Sequence, residues 1–296
     1  FNITKYLISK KYKKNIFISN IHYTNILSLI FLRNLDDLKI LLVERTPLME
    51  LNIYFNFVDF IKKNIIKLLI YLLYNFTDAI VCNSKNISKY FKIKYNLKTK
   101  TIFPPSVIYF SRSRQKIYKK NKTLIIATVC RLTEEKGLEV LFQALSLLKF
   151  NNYKLLIAGD GAEKLKLKQI SRKLDISKKI KFFGFMKDVR PVLKLSDLYV
   201  NTSYFEGFPN SVVEAINFGI PVICSQSHGG INEILLNGKC GTIFKNGDSF
   251  DLASKIQKYY NNPKKYFSIT KLAKQNIKRF TLRKNILNYE NLFNKM

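Results

Sequence analysis

Six short apolar runs at a steady rhythm, near 123–130, 154–158, 180–183, 198–201, 221–224 and 241–244, constrain this chain more than any other feature. Runs of about four to eight residues rich in β-branched side chains read as buried strands. Helical patterns lie between them, and strand, helix, strand at this spacing implies a parallel sheet with helices on both faces. A less regular alternation precedes it. Residues 15–18 and 38–43 read as strands with a helix between them, a helix at 60–75 leads to strand-like 79–82, and a further helix covers 84–92. Residues 101–114, with Pro104-Pro105 and a charged, irregular tail, read as the linker, and a polar, helix-like tail runs from about 266 to 296. The 296 residues suffice for two cores of ordinary domain size, and no repeat at a fixed period interrupts them.

Chemistry collects where these runs end. The 123–130 run stops at Arg131-Leu-Thr-Glu-Glu-Lys136-Gly137, just before a helical pattern at 138–148. Open α/β sheets bind ligands beyond the carboxyl ends of their strands. There Arg offers phosphate a planar fork and Lys a mobile point charge; in so basic a chain, plain surface solvation is the alternative. Further on, Glu206-Gly-Phe-Pro-Asn-Ser-Val-Val-Glu214-Ala sets one carboxylate on a loop and another in the first turns of a helix starting near 209–211. Pro209 suits the first helical position, where its missing N–H costs nothing, and the unpaired amides of a helix start favour phosphate. One reading gives Glu206 a sugar, Glu214 the ribose hydroxyls and the helix start a diphosphate. The other makes Ser211-x-x-Glu214 a capping box and nothing more. Gly159-Asp160-Gly161 marks a strand-to-helix turn, but Lys164 breaks the G-x-G-x-x-G pattern, so a dinucleotide site is not expected and a tight turn and a donor contact both stay open. Gly229-Gly230, with His228 beside them, either present amides to a ligand or serve a turn needing positive φ.

In chain order, Arg131-Leu-x-x-x-Lys136-Gly137, Gly159-Asp160-Gly161, Phe183-Gly184, Ser196-Asp197, Glu206-Gly-Phe-Pro-Asn-x-x-x-Glu214-Ala, Gly219-x-Pro221-Val222 and Gly229-Gly230-x-x-Glu233 resemble the retaining glycosyltransferases of family 4, the group 1 class. The resemblance covers about residues 40–260 and is most specific in the second half. It implies the α/β GT-B fold, two Rossmann-like doubly wound domains facing a cleft. The first, 1–105, would take the acceptor and be incomplete; 106–265 would bind the donor after a linker at about 101–122; and 266–296 would cross back to the first domain. Incompleteness is expected because the chain opens on Phe1, whereas family members carry two further strands and a Gly-rich acceptor loop before the region that begins at Asn15.

The resemblance also implies roles. Arg131 and Lys136 would hold the donor diphosphate and Glu206 the transferred sugar, these three carrying catalysis. Glu214 would take the ribose, with Gly207, Phe208, Asn210, Ser211, Gly159, Gly161, Phe185 and Met186 lining the donor site. Arg45, in a stretch like the family's Glu-Arg-x-x-Pro but with Pro47 one residue early, and His22 are the acceptor-side candidates. Cys130 departs from the pattern, standing where the family has Gly. The implied reaction moves a hexose or N-acetylhexosamine from a nucleotide sugar, uridine-linked by expectation, to a glycan or lipid-linked acceptor with retention, using no cofactor and no metal. Two readings from other classes stand beside it: a sugar-nucleotide epimerase of similar shape, disfavoured by the paired Glu and Arg–Lys motifs, and a non-catalytic basic membrane-surface module.

Net charge is +31, from 51 Lys and Arg against 20 Asp and Glu, which points to an anionic partner. The chain is also loaded with Lys, Asn, Ile, Tyr and Phe and has no Trp, the bias of an AT-rich genome, so half of the excess is put down to codon drift. The rest suits a lipid-phosphate acceptor or peripheral contact with the inner face of the cell membrane; without a recognisable binding motif, nucleic acid is not expected. Cys82, Cys130, Cys224 and Cys240 form no C-x-x-C pair and His22 and His228 are the only histidines, so reduced thiols, no metal centre and a cytoplasmic setting are expected. The first residues run into Lys10-Lys-Tyr-Lys-Lys14 without the apolar core of a signal peptide. The longest apolar stretch, 65–74, contains Lys67 and falls short of the roughly 20 residues that cross a bilayer. Around it Ile61, Ile65, Leu68, Leu69 and Leu72 form an apolar stripe with Lys63 and Lys67 a turn apart, a basic amphipathic helix that either packs into a core or lies on an anionic membrane; the strand-like run that follows favours the core.

Overall fold

The computed structural model describes residues 15–52, 56–111, 118–119, 122–227 and 229–296; Lys10–Lys14 and His228 lie outside them. The chain parts into two units, 1–103 with 285–296, and 104–284.

The first unit runs β1 (Asn15–Asn20), α1 (His22–Leu32), β2 (Leu38–Glu44), α2 (Phe57–Leu73), β3 (Ala79–Cys82), α3 (Lys85–Tyr95) and β4 (Lys100–Thr101). Its four described strands pair in parallel in the order β1-β2-β3-β4. Side chains alternate across a strand, so β2 needs cover on both faces. Ile40 and Leu42 face a core with Leu29, Ile66, Ile70 and Ile80. Leu41 and Val43 face Val81, Ile102 and Leu292, with Tyr289 and Phe293 against them, so the end of the chain closes the second face. Local signals set the helix limits. Asn56 caps α2 through the Asp59 amide at 2.8 Å, and Ser84 caps α3 through the Ile87 amide at 3.3 Å. Asn96, at φ 51°, ends α3 in the left-handed conformation that Asn tolerates.

α2 does not sit as its stripe suggests. It is core-packed, through Ile66, Ile70 and Lys63 with Leu69 of the stripe packed against the same core, while Ile61, Ile65, Leu68 and Leu72 are exposed. Lys63 is buried because Asp59, one turn earlier, meets its ammonium at 2.8 Å.

The second unit carries β5 (Leu124–Val129), α4 (Leu138–Ser146), β6 (Tyr153–Ala158), α5 (Lys164–Lys173), β7 (Ile180–Gly184), α6 (Arg190–Leu195), β8 (Leu198–Asn201), α7 (Asn210–Asn217), β9 (Val222–Ser225), α8 (Ile231–Ile234), β10 (Thr242–Phe244), α9 (Ser249–Asn261) and α10 (Lys265–Asn276). Its six parallel strands take the order β10-β9-β8-β5-β6-β7. The direction of winding therefore reverses between β5 and β8, leaving a crevice at their carboxyl ends. Asp197 clamps the opposite end of that junction, its carboxylate accepting the Ile125 amide at 3.0 Å while its own amide donates to the Ile125 carbonyl at 2.8 Å. α10 stays in this unit, where Ala273 and Ile216 of α7 line one small apolar gap; the greater part of α11 (Leu282–Phe293), from Asn285 on, belongs to the first unit. The expected linker is held on its second-unit side, the Asn217 amide donating to the Tyr109 carbonyl at 2.9 Å and accepting the Ser111 N–H at 3.1 Å.

Candidate functional site

β5 and β8 deliver two loops to the switch point, and hydrogen bonds join them. The Thr202 hydroxyl donates to the Lys136 carbonyl at 2.8 Å, and the Tyr204 amide to the Glu135 carbonyl at 2.9 Å. This alignment brings the Lys136 ammonium to 2.9 Å from Glu206 Oε1, with only 11% and 16% of the two side chains exposed. Ser203 donates to the same oxygen at 2.8 Å. The two charges singled out in the sequence thus neutralise each other across the crevice. Both bonds fall on Oε1, so Oε2 is the oxygen with accepting capacity to spare, and an ammonium with three donors keeps capacity for a further acceptor.

Arg131 behaves differently: its side chain is 76% exposed and leans on Glu135 at 3.4 Å. Glu135 is held in turn by the Thr133 hydroxyl at 2.6 Å. A surface ion pair of this kind contributes little to stability, so Arg131 can swing to an anion at small cost.

Glycines bring the supporting loops within backbone contact. A Cβ on Gly229, at φ 124°, would come to 1.5 Å of the Glu206 carbonyl oxygen, and the Gly230 amide donates to the Gly207 carbonyl at 2.9 Å. Gly229-Gly230 therefore buttresses the Glu206 loop. Gly159, at φ 144°, lies so close that a Cβ would meet the Cys130 carbonyl oxygen at 1.8 Å, and Gly161 faces Leu132 in the same way. The facing turn thus meets the backbone at Cys130 through a glycine of its own. Burial pushes the Cys130 thiol up to about 11, with the Lys136 charge pulling the other way.

α7 begins one residue later than its Pro suggests. Pro209 is the N-cap rather than the first helical residue, and no side chain caps the start. The capping box does not form: Ser211 Oγ accepts the Tyr199 hydroxyl at 2.9 Å, and among the described residues the Glu214 carboxylate makes no hydrogen bond. Half-buried on the second turn, Glu214 is raised in pKa by that burial. Asn210 at the helix start accepts the Ser106 hydroxyl at 2.6 Å.

Other sequence candidates divide. Phe208 turns inward and packs edge-on against Phe280 at 5.0 Å, so its ring serves the core. Phe185, 82% exposed, follows β7 with the half-buried Met186 after it. Arg45 is exposed just past β2. His22, an acceptor-side candidate whose alternative was a place in the core or on the surface, is wholly buried, because α1 starts on it directly after β1 and tucks it against Glu44. Among the described residues no three of His, Cys, Asp and Glu gather as metal ligands.

Three contributors went unnoticed in the sequence. Thr202 and Ser203 set the loop spacing and hold Glu206, and Tyr199, buried in β8, places its hydroxyl 3.2 Å from the Val129 carbonyl while it donates to Ser211. The available signal was their position: polar residues within and just past a central strand at a sheet reversal.

The GT-B fold is confirmed by likeness to solved structures. The lipopolysaccharide outer core galactosyltransferase WaaB in apo form superposes with a TM-score of 0.78 at 19% identity, covering 100% of this chain and 79% of that one. Anabaena HepE in complex with UDP and glucose gives 0.80 at 20% identity, covering 99% and 81%. In sequence, an uncharacterized glycosyltransferase of Methanocaldococcus jannaschii is 33% identical over 177 residues, 55% of this chain and 43% of that protein. The lipopolysaccharide core biosynthesis glycosyltransferase LpsE of Rhizobium meliloti is 27% identical over 184 residues, 61% and 53%. The aligned stretches thus span about half the length of these relatives. With residues 110–276 matching the family profile described as glycosyl transferases group 1, on the unit that carries the Lys136–Glu206 pair, the chain belongs to that family.

Proposed function

We propose that the chain works as a retaining glycosyltransferase, passing a hexose or N-acetylhexosamine from a uridine-linked nucleotide sugar to a glycan or lipid-linked acceptor without a metal or cofactor. The observation that carries this reading is the Lys136–Glu206 pair at the β5–β8 switch point, with α7 starting uncapped on the same loop. Support for the donor class comes from one structural relative, Anabaena HepE, captured with UDP, with UDP and glucose, and with UDP-glucose; support for the acceptor class comes from relatives named for lipopolysaccharide core and amylovoran biosynthesis.

In this mechanism the acceptor hydroxyl attacks the anomeric carbon from the face the diphosphate leaves. Negative charge grows on the departing diphosphate, and Arg131, Lys136 and the amides at the α7 start stabilise it more in the transition state than in the ground state. Glu206 Oε2 accepts a hydroxyl of the transferred sugar and orients it, while Glu214 serves the ribose. The proposed place of work is the cytoplasmic face of the cell membrane. No helix among the described residues is long and apolar enough to cross a membrane.

Calorimetric titration with UDP, UDP-glucose, UDP-N-acetylglucosamine and GDP-mannose tests the reading: saturable binding of a uridine nucleotide is expected, and failure to bind any of the four overturns it. The anomeric coupling constant of a transferred sugar decides retention.

A further inference from the structure

At the switch point the ladder between β5 and β8 stops early. The strands pair at Ile126–Leu198 and Ala127–Tyr199, and β5 then runs on to Val129 without a backbone partner in β8. Residues an even number of places apart along a strand face the same way, so Val129 presents its N–H and C=O toward β8 as Ile125 does. The Tyr199 hydroxyl stands in for the missing strand. It accepts the Val129 N–H at 3.3 Å and lies 3.2 Å from the Val129 carbonyl, on a side chain with no exposed surface.

A phenol has one proton to give. Of the two acceptors in reach, Ser211 Oγ at 2.9 Å is nearer than the Val129 carbonyl. Burial raises the Tyr199 phenol well above its ordinary value, so that proton is held at any working pH. Ser211 accepts it and keeps its own, for which no acceptor stands among the described residues. Ser211 is the second residue of α7, half-buried at the uncapped start, and Val129 stands two residues before Arg131. One hydroxyl therefore ties the strand end that carries Arg131 to the helix start.

We infer that Tyr199 is a positioning residue for the donor diphosphate: by donating to Ser211 it fixes the first turn of α7 against the end of β5 and leaves the Ser211 proton free as a further hydrogen bond to a phosphate oxygen. The inference rests on the diphosphate site in the proposed function and adds to it a side chain that never touches the ligand.

Four variants of the full chain, titrated with UDP by calorimetry and with uridine by ligand-observed NMR, test it. Ser211→Ala should weaken UDP binding about tenfold, the size of one hydrogen bond to a charged group, and leave uridine binding unchanged. Tyr199→Phe, which keeps the ring and removes the hydroxyl, should do the same, and the double variant should bind UDP within about twofold of Tyr199→Phe because the two residues act as one. Ser211→Thr, which keeps a hydroxyl, should bind like the wild type. A Tyr199 that serves only packing would lower the melting temperature and leave the UDP-to-uridine affinity ratio where it was. That outcome in folded Tyr199→Phe overturns the inference, and so do single effects that multiply in the double variant. If Tyr199→Phe does not fold, the two Ser211 variants decide, since Tyr199 acts through that hydroxyl: a weak Ala variant beside a wild-type-like Thr variant supports the inference, and unchanged UDP binding by Ser211→Ala overturns it. A wild type that binds no UDP removes the proposed function itself, whereas wild-type binding that every variant retains removes only this inference.

Discussion

Replacing Glu44 by Gln should change how stability depends on pH, and its size follows from the buried cluster in the first unit. Glu44 is fully buried; its Oε1 accepts the Asn25 amide at 2.7 Å and the Tyr74 hydroxyl at 2.5 Å. His22 Nδ1 lies 3.9 Å from Glu44 Oε2, and neither atom has a hydrogen-bond partner among the described residues. Burial outweighs the two hydrogen bonds to Glu44 and pushes its carboxyl from 4.5 up to about 7; it also drives the His22 imidazole from 6.5 down to about 4. The contact therefore joins two neutral groups across most of the acid range and is not an ion pair.

The two groups act on stability in opposite directions. A carboxyl whose pKa is raised by folding favours the native state below its unfolded value of 4.5, and loses that contribution as pH rises through about 7. An imidazole whose pKa is lowered contributes above 6.5 and loses this as pH falls through about 4. Between 4.5 and 6.5 the folded pair holds one proton on Glu44, while the unfolded pair holds one on His22, so the wild type gains no pH slope from them. Glu44→Gln keeps an oxygen for Tyr74 and Asn25 and removes only the titration. At about 1.4 kcal/mol per pH unit, its stability relative to wild type should climb by about 3 kcal/mol from pH 4.5 to above pH 7. Without Trp in the chain, urea unfolding at each pH is best followed by circular dichroism, with amide exchange at Leu41–Val43 assigning the transition to the first unit. A variant-minus-wild-type difference that stays level across this range refutes the reasoning.

Arg131→Ala with Lys136→Ala should weaken nucleoside diphosphate binding at least tenfold, since charged hydrogen bonds contribute about 1.5–3 kcal/mol each; calorimetry showing unchanged affinity in a folded variant removes the phosphate assignment. The single changes should differ in thermal unfolding, Lys136→Ala lowering the midpoint because it strands the Glu206 carboxylate and Arg131→Ala leaving it unmoved. Glu214→Ala should weaken nucleotide binding without lowering the melting temperature, there being no cap to lose; the reverse pattern would make Glu214 a structural residue. Donor binding should survive excess EDTA, and a loss restored by magnesium or manganese would show a metal-dependent site.

The second unit was legible because its strands announce themselves locally. Each apolar run appears within a residue or two, and a motif that follows a run must sit at a strand's carboxyl end, so Arg131, Lys136 and Glu206 could be brought near one crevice from chain order. Orientation was harder wherever two faces of one element are apolar. In α2 the 61, 65, 68, 72 stripe and the 66, 70 pair both qualify as a core face, and the choice falls to β2 and α1, which no property of the helix itself encodes. His22 was ambiguous for a related reason: the residue type is at home in a site or in a core, and only the geometry of the β1–α1 turn sends it inward.

Partner choice was the least legible, and it matters most at the site. Lys136 and Glu206 are 70 residues apart, and each looked like a ligand-binding group in its own right. Placed 2.9 Å apart and mostly out of water, they instead satisfy each other. Leaving either unpaired would cost more than the pair contributes, so pairing stores both charges without committing either. In the proposed mechanism a diphosphate beside Lys136 and a sugar hydroxyl on Glu206 Oε2 add to the existing contact instead of replacing it, because neither group has used its full hydrogen-bonding capacity. The β5 and β8 loops, joined by the Thr202 and Tyr204 hydrogen bonds, hold that arrangement in place, and in the proposed mechanism preorganisation of this kind lets charge stabilisation act at the moment of bond cleavage without a reorganisation penalty.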